Sequence, residues 1–186
     1  MKHPKAEAIF ADGEAFHAVR IEEWGDALKD IDSNILRFQF DQAAEGLCES
    51  PIEQILLASL IWQATFIFGG GLSLWLDGPK PKAATVIRPQ HHIGLHRIDF
   101  AVFINSWNDR EIRLAIECDG HEFHEKTKEQ AARDKSRDRV LQTEGWRVLR
   151  FTGSEIWRRP MECAEQVFEL CSNEVAEQYR PRPKGV

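Results

Sequence analysis

The sequence lacks the features of several protein classes. No apolar run reaches the length of a membrane-spanning helix, and the first ten residues, MKHPKAEAIF, contain no apolar segment of a signal peptide. We therefore expect a cytoplasmic protein. The four cysteines are scattered and form no C-x-x-C pair, so the pattern indicates neither a disulfide framework nor a cysteine-bound zinc site.

An excess of positive charge is also missing. The net charge of −6 argues against a protein that binds nucleic acid through bulk charge alone. Basic residues are instead concentrated between Lys126 and Arg150, where several acids are interleaved. That segment is either a local contact surface for a phosphate backbone or a solvated helix face.

The length of 186 residues predicts one domain with a substantial core. We divide it into an N-terminal segment 1–48 that packs on the core, a central unit 49–178 and a basic tail 179–186. The first segment suggests no chemistry. Short strands are predicted there, at Ala6–Phe10, Ala15–Ile21 and Ile35–Phe40.

A helix is predicted from Ser50 to about Phe66. Serine at the N-cap, proline at the first helical position and Glu53 three residues after the cap form a capping box. This box by itself explains Glu53 structurally. Further elements are predicted as strands at Leu72–Leu76, Ala84–Arg88 and Trp146–Phe151, and as helices at Thr127–Glu144 and after Pro160.

The centre of the chain is a predicted hairpin, with strands Arg97–Asn105 and Arg113–Asp119. Alternation of apolar residues predicts that Ile98 shares one strand face with Phe100, and that the acids lie on the opposite face. If the turn is centred on Asn108, the register pairs Phe100 with Ile116. The same register continues to further pairs, namely Ala101 with Ala115, Asp99 with Glu117, and Arg97 with Asp119.

This register would bring several carboxylates to one end of the hairpin. Directly opposed side chains have Cβ atoms about 4.5–5.5 Å apart, where two like charges destabilise each other. Asp99 and Glu117 at that distance need a cation, a shared proton or a nearby basic group, and Asp119 adds a third acid. The group is typical of a site for a hard metal ion such as Mg²⁺. The alternative is that these acids are solvated strand-end residues, with Arg97 neutralising Asp119.

The predicted order of helix, strand, hairpin, helix, strand and helix makes the fold an α/β sandwich with a mixed central sheet. Short motifs follow this order along the chain. They are Ser50-Pro51-x-Glu53, Arg88-x-Gln90, Asp99-Phe100, Ile116-Glu117-x-Asp119-Gly120-x-x-x-His124, Asp134-x-x-Arg137-Asp138, Gly145-Trp146-x-Val148-Leu149-Arg150-Phe151 and Glu155-Ile156. The combination resembles the restriction-endonuclease-like PD-(D/E)xK superfamily, whose fold is a three-layer sandwich. More narrowly, it resembles the Vsr-like (very-short-patch-repair) endonuclease relatives, over roughly Ser50–Val167.

The resemblance implies a role for each matching residue. Asp99 matches the first metal-binding acid of the fold, Glu117 the second, and the main-chain carbonyl of Cys118 a further ligand. Glu53 matches the glutamate that such nucleases often place on the first helix, facing the metal, which makes it a candidate catalytic residue. His121 or His124 matches a histidine that assists catalysis in the repair branch.

One position departs from the motif. Asp119 stands where the superfamily has its lysine, two residues after the second acid. The group that activates the water is therefore open, and His124, His121 and Lys135 are the candidates. Histidine is suited to accept a proton near neutral pH because its ordinary pKa is about 6.5.

These residues lead us to expect a metal-dependent endonuclease that hydrolyses DNA phosphodiester bonds with Mg²⁺, for which Mn²⁺ would substitute. Gln90, Arg133, Lys135 and Arg137 are predicted to contact nucleic acid, although the arginines could equally pair with Asp134 or Glu129. RNA as a substrate, a protein partner and a homodimer stay open. The alternatives are a non-catalytic nucleic-acid-binding or protein-binding member of the fold, and an unrelated protein whose histidines bind zinc.

Overall fold

The computed structural model describes residues 1–24, 33–66, 72–105, 111–120 and 128–178. Its helices are α1 (Pro4–Trp24), α2 (Ser33–Gly46), α3 (Pro51–Phe66), α4 (Lys128–Thr143), α5 (Gly153–Arg158) and α6 (Pro160–Gln178). Its strands are β1 (Leu72–Leu74), β2 (Thr85–Ile93), β3 (His96–Asn105), β4 (Glu111–Asp119) and β5 (Arg147–Thr152). In the described part of the chain, no helix combines the length and apolar character needed to cross a membrane.

The five strands form one mixed sheet in the order β1-β2-β3-β4-β5. The two edge strands run parallel to their neighbours, and the central β2-β3-β4 meander is antiparallel. The β3–β4 register pairs Phe100 with Ile116 and Ala101 with Ala115, which confirms the predicted hairpin register over this stretch. The predicted fold class, a mixed sheet flanked by helices, is also confirmed.

Helix α3 is the central helix of the larger hydrophobic core. Every residue from Glu53 to Ile61 is buried, because α1, α6 and the sheet enclose the helix on different sides. The sheet contributes Ile87, Phe100, Val102, Leu114 and Ile116 to this core, and we call the side that bears them the α3 face. The helix is therefore buried nearly all round, from its first turn onward.

The opposite side of the sheet, the α4 face, carries a smaller cluster. Val86, Ile98, Ala101, Phe103 and Ala115 pack there with Leu141 of α4 and with Trp146. The imidazole of His91 lies in this cluster, with ring centroids 5.6 Å from both Phe103 and Trp146 and 5.9 Å from Trp75. The two faces make the fold a three-layer arrangement of helices, sheet and helix.

The strands predicted in the N-terminal segment are wrong, because residues 4–24 and 33–46 form α1 and α2. The buried residues of α2 are Leu36, Phe40, Ala43 and Ala44, a helical spacing, and Phe40 stacks on Phe10 with centroids 4.5 Å apart. Short apolar runs do not distinguish strand from helix by themselves, and packing against α3 decides the outcome here.

The predicted alternation along β3 is wrong at one point. Ile98 lies on the α4 face, whereas Phe100 lies on the α3 face, so these residues do not share a side. The residue between them is Asp99. It stands across from Gln90 of β2, whose φ of 50° departs from extended backbone and shifts the alternation of faces.

Candidate active site at the end of the central hairpin

Glu53 is held at the first turn of α3 by three donors. Its carboxylate accepts hydrogen bonds from the Ser50 hydroxyl (2.7 Å), the Glu49 backbone N–H (2.9 Å) and the Gln90 side-chain amide (2.7 Å). The Glu53 backbone N–H in turn donates to the Ser50 hydroxyl at 3.3 Å, which completes the predicted cap. Only 6% of Glu53 is exposed, so this capping residue also faces the interior of the site.

Asp99 lies next to this group and is bound by the neighbouring strand. Its Oδ2 atom accepts a hydrogen bond from the backbone N–H of Cys118 at 2.6 Å. Burial raises the pKa of Asp99, and the negative charge of Glu53 raises it further, while the Cys118 N–H, Arg137 and Arg97 oppose the shift. Asp99 and Glu53 are therefore close enough to repel each other when both are ionised.

Glu117 of β4 is the next acid of the cluster, and unlike the half-buried Asp99 it is fully buried. It is 6% exposed, and its carboxylate forms an ion pair with the guanidinium of Arg137 from α4. Burial raises the pKa of Glu117 to about 7, an effect that Arg137 and Arg150 reduce and that Asp99 and Asp119 increase. Even with an arginine in contact, the site makes this carboxylate costly to ionise.

Asp99 and Glu117 do not form the directly opposed pair that the sequence predicted. The paired residues of β3 and β4 end at Phe100 and Ile116, and the Asp99 side chain then bonds to the main chain of Cys118. The two carboxylates still interact electrostatically, since the negative charge of Asp99 raises the pKa of Glu117. The result is a cluster at the strand end, built from β2, β3 and β4.

Asp119 lies beside a second arginine. The Arg150 guanidinium is 3.6 Å from the Asp119 carboxylate and donates to Asp138 of α4 at 2.6 Å. The alternative in which Arg97 neutralises Asp119 receives no support, because Arg97 pairs with Glu49 at 2.6 and 2.8 Å. Asp119 is thus part of a charged rim that connects the acid cluster to α4.

The predicted nucleic-acid contacts divide into two groups. Arg137 turns toward the acids, since its guanidinium also donates to the main-chain carbonyl of Arg97. Arg133 and Lys135 are exposed on α4. Gln90 faces Glu53 and belongs to the acid cluster. The predicted histidines, His121 and His124, lie outside the described residues, as does the predicted capping residue Thr127.

The oxygen-rich cluster fits Mg²⁺ chemically. Among the described residues, no three side chains of His, Cys, Asp or Glu converge on a metal position. Mg²⁺ nevertheless needs only one or two carboxylates, with water and neutral oxygens completing its six ligands. Asp99 and Glu117, with raised pKa values, are carboxylates that a cation would stabilise. One buried oxygen nearby, Oε1 of Gln90, has no hydrogen-bond partner within the described ranges.

Residues 82–170 match the family model REase_MTES_1575. The matched segment, slightly less than half of the chain, includes Gln90, Asp99, Glu117 and all of α4. It indicates a restriction-endonuclease-like family and favours a nuclease function, which supports the resemblance to that superfamily. No curated protein and no solved structure matches the chain.

The sequence analysis assigns no role to Arg150, Asp138 or Glu49, and it considers Arg97 only as a partner of Asp119. A signal was present for Arg150, since it follows Trp146 and Val148 at strand spacing and places a charge on an otherwise apolar side of β5. The contacts of the other three residues could not be predicted from sequence, because they join α4 to β5 and the loop before α3 to β3.

Proposed function

We propose that this protein is a metal-dependent endonuclease of the PD-(D/E)xK type that hydrolyses DNA phosphodiester bonds, related to the Vsr-like enzymes. The observation that carries the proposal is the meeting of Asp99 and Glu117 at one end of the sheet, inside the segment that matches a restriction-endonuclease-like family. Glu53 and Gln90 extend this cluster from α3 and β2.

The proposed metal ligands are the carboxylates of Asp99 and Glu117, the main-chain carbonyl of Cys118 and the carboxylate of Asp119. Mg²⁺ at these ligands, or Mn²⁺ in its place, would polarise the phosphate and lower the pKa of a water. Burial at Glu117 excludes bulk solvent and so strengthens the attraction of these oxygens for a cation. The carboxylate of Glu53 lies next to Asp99, and its own oxygens are fixed by three donors.

The cationic residues of α4 are proposed to hold the DNA backbone. Arg133 and Lys135 are exposed and available to phosphate oxygens, which positions the duplex without reading its sequence. Arg137 is in contact with Glu117 and would share its guanidinium between that carboxylate and a phosphate. For proton removal from the attacking water, His124 or His121 remains the proposed base, with Lys135 as the alternative.

A plasmid-nicking assay tests the proposal. Supercoiled DNA and single-stranded DNA would be incubated with the protein in Mg²⁺, Mn²⁺ or EDTA, beside Glu117→Gln and the control Glu162→Gln. Glu162 is an exposed glutamate of α6 that pairs with Arg159. We expect nicking by the wild type and the control that requires the metal and is lost in Glu117→Gln. Equal nicking by all three proteins would mean that the acid cluster is not the active site.

A second function is a non-catalytic one, in which the same surface binds nucleic acid, including RNA, or a protein partner or second copy of the chain. The observation that favours it is the ion pair between Arg137 and Glu117, since an arginine already provides positive charge at a proposed metal ligand. Asp119 at the position of the motif lysine points the same way. Absence of cleavage together with metal-independent DNA binding by wild type and Glu117→Gln alike would favour this function.

A further inference from the structure

Gln90 has an unusual backbone conformation for its place in the fold. It lies within β2, yet its φ is 50°, and among the described residues it is the one non-glycine with a positive φ. A left-handed conformation at such a residue is strained and is maintained only where the surroundings require it. Since neighbouring pairs of β2 and β3 keep one register on both sides of Gln90, the distortion is not the result of a register shift.

The side chain of Gln90 is oriented by Glu53. Its Nε2 atom lies 2.7 Å from Oε2 of Glu53, and only the NH₂ end of the amide can donate to a carboxylate. The opposite end, Oε1, therefore points away from that oxygen. Oε1 is buried and has no hydrogen-bond partner among the described residues. A buried acceptor without a partner is destabilising, because it has lost its hydrogen bonds to water.

The charges around Gln90 restrict what can occupy this position. The register of β2 and β3 places Gln90 level with Asp99, and the side chain of Gln90 contacts Glu53. Neither carboxylate can donate a hydrogen bond to Oε1 when ionised. A cation would interact favourably with Oε1 and with the neighbouring carboxylate at the same time. Amide oxygens are established ligands of hard divalent cations.

We propose that Oε1 of Gln90 is a ligand of the divalent cation, acting as a neutral oxygen beside the carboxylates of Asp99 and Glu117. This inference rests on the proposed function and adds a ligand from β2 to the set from β3 and β4. The left-handed backbone and the hydrogen bond to Glu53 hold the amide in the orientation that presents this oxygen.

Calorimetric titration with Mn²⁺ at pH 8, without DNA, tests the inference. The result that matters is the direction in which two substitutions at Gln90 change the affinity for Mn²⁺. Gln90→Met removes the oxygen and should weaken Mn²⁺ binding about tenfold, the scale seen when one group supporting a metal site is lost. Gln90→Glu replaces a neutral oxygen with an anionic one and should strengthen Mn²⁺ binding by about threefold or more. Gln63→Met is the matched control, since Gln63 is a buried glutamine of α3 ten residues after Glu53, about 15 Å along the helix.

The decisive result is that Gln90→Met and Gln90→Glu change the affinity for Mn²⁺ in opposite directions. If Gln90 only positioned Glu53, both variants would lose the Nε2–Oε2 hydrogen bond and both would weaken Mn²⁺ binding, which would overturn the inference. Unchanged binding in both variants would overturn it as well. If Gln90→Met does not fold, Gln90→Asn replaces it, because asparagine tolerates a positive φ. Its shorter side chain holds the amide oxygen further from the metal, so Gln90→Asn should also weaken Mn²⁺ binding.

The same experiment distinguishes failure of the proposed function from failure of the role proposed for Gln90. Glu117→Gln should weaken Mn²⁺ binding more than any Gln90 variant. If the wild type binds no Mn²⁺, or binds it as tightly as Glu117→Gln does, the metal site itself is refuted and the role of Gln90 with it. If Glu117→Gln loses binding while the Gln90 variants do not change, only the role of Gln90 is refuted.

Discussion

Glu53 and Glu117 are both buried glutamates of the acid cluster, and the protein stabilises them by different means. Glu53, at the start of the helix on the α3 face, accepts hydrogen bonds from a hydroxyl, a backbone N–H and an amide. Glu117, which faces α4, contacts an arginine, and burial still raises its pKa to about 7. Glu53 therefore serves the fold as a helix cap, whereas Glu117 is held at a cost to the fold.

The same contrast extends to the two faces of the sheet. The α3 face packs a long apolar core around a buried helix. The α4 face has a smaller cluster that includes His91, whose pKa burial lowers to about 4. Ionisable groups with unfavourable surroundings are common at functional sites, because their chemistry depends on the shifted pKa. We expect substitutions on the α3 side to affect mainly stability, and those facing α4 to affect mainly function.

Glu117→Gln should give the largest effect. We expect metal-dependent nicking to fall at least about 100-fold, equivalent to about 2.7 kcal/mol, because a proposed ligand loses its charge. Stability at pH 8 should be unchanged or higher in the variant. The folded-state pKa of Glu117 lies above its ordinary value, so its contribution to stability is complete below about pH 4.5 and is lost as pH rises through about 7.

Urea unfolding of wild type and Glu117→Gln at pH 5 and pH 8 checks the stability part of this prediction. From pH 5 to pH 8, the free energy of unfolding of the variant should rise relative to that of the wild type. A variant that is more than about 1 kcal/mol less stable than the wild type at pH 8 would contradict the view that Glu117 is held at a cost.

Glu53→Ala should lower the free energy of unfolding by about 2–3 kcal/mol, because the helix loses a capping residue and three donors in partly buried hydrogen bonds lose their acceptor. The matched control is Glu155→Ala. Glu155 forms a second capping box with Thr152 at the start of α5, but it is exposed, so its loss should cost about 1 kcal/mol or less. Urea unfolding measures both, and equal losses would mean that burial does not strengthen the Glu53 cap.

His91→Phe should change the pH dependence of stability. Because the pKa of His91 is lowered on folding, its contribution is present above about pH 6.5 and is lost as pH falls through about 4. His91 is only partly buried, so after allowance for screening we expect the wild type to lose about 1–2 kcal/mol relative to His91→Phe between pH 7 and pH 4. Thermal unfolding across this range is the measurement, and parallel curves for the two proteins would contradict the prediction.

Arg137→Met should have the smallest effect among these, about 1 kcal/mol or less in metal affinity. Removing the guanidinium removes positive charge next to Glu117, so we expect Mn²⁺ to bind up to about fivefold more tightly to the DNA-free protein at pH 8.5. Arg133→Met is the control, since Arg133 is exposed one turn earlier on α4. Mn²⁺ titration compares them. Weaker binding in Arg137→Met would show that the arginine organises the ligands rather than competing with the metal.

Local patterns predicted the central elements well. The capping box at Ser50 predicted the start of α3, and a turn centred on Asn108 predicted the hairpin register that pairs Phe100 with Ile116. The failures have physical causes. Leu36, Phe40 and Ala43 are spaced as on one side of a helix. The short apolar run around them is equally typical of a strand, and only packing on α3 distinguishes helix from strand here.

The sequence predicted the acid cluster only in part, because local patterns do not determine how its side chains meet. The sequence selected Asp99, Glu117 and Glu53 as candidates, but it placed Asp99 directly opposite Glu117. A left-handed residue on β2 cannot be recognised from its neighbours when it is a glutamine, so the local change of face around Gln90 and Asp99 was not foreseen.

By itself, the sequence determined the helix caps, the order of the elements and the hairpin register, because these depend on residues a few positions apart. Tertiary structure alone decided which polar and charged side chains meet. Glu53 reaches Gln90 across 37 positions and Glu117 reaches Arg137 across 20, and neither contact has a local signature. Burial at those contacts then determined the pKa of Glu117, because desolvation depends on everything packed around the carboxylate and not on the residues beside it in the chain.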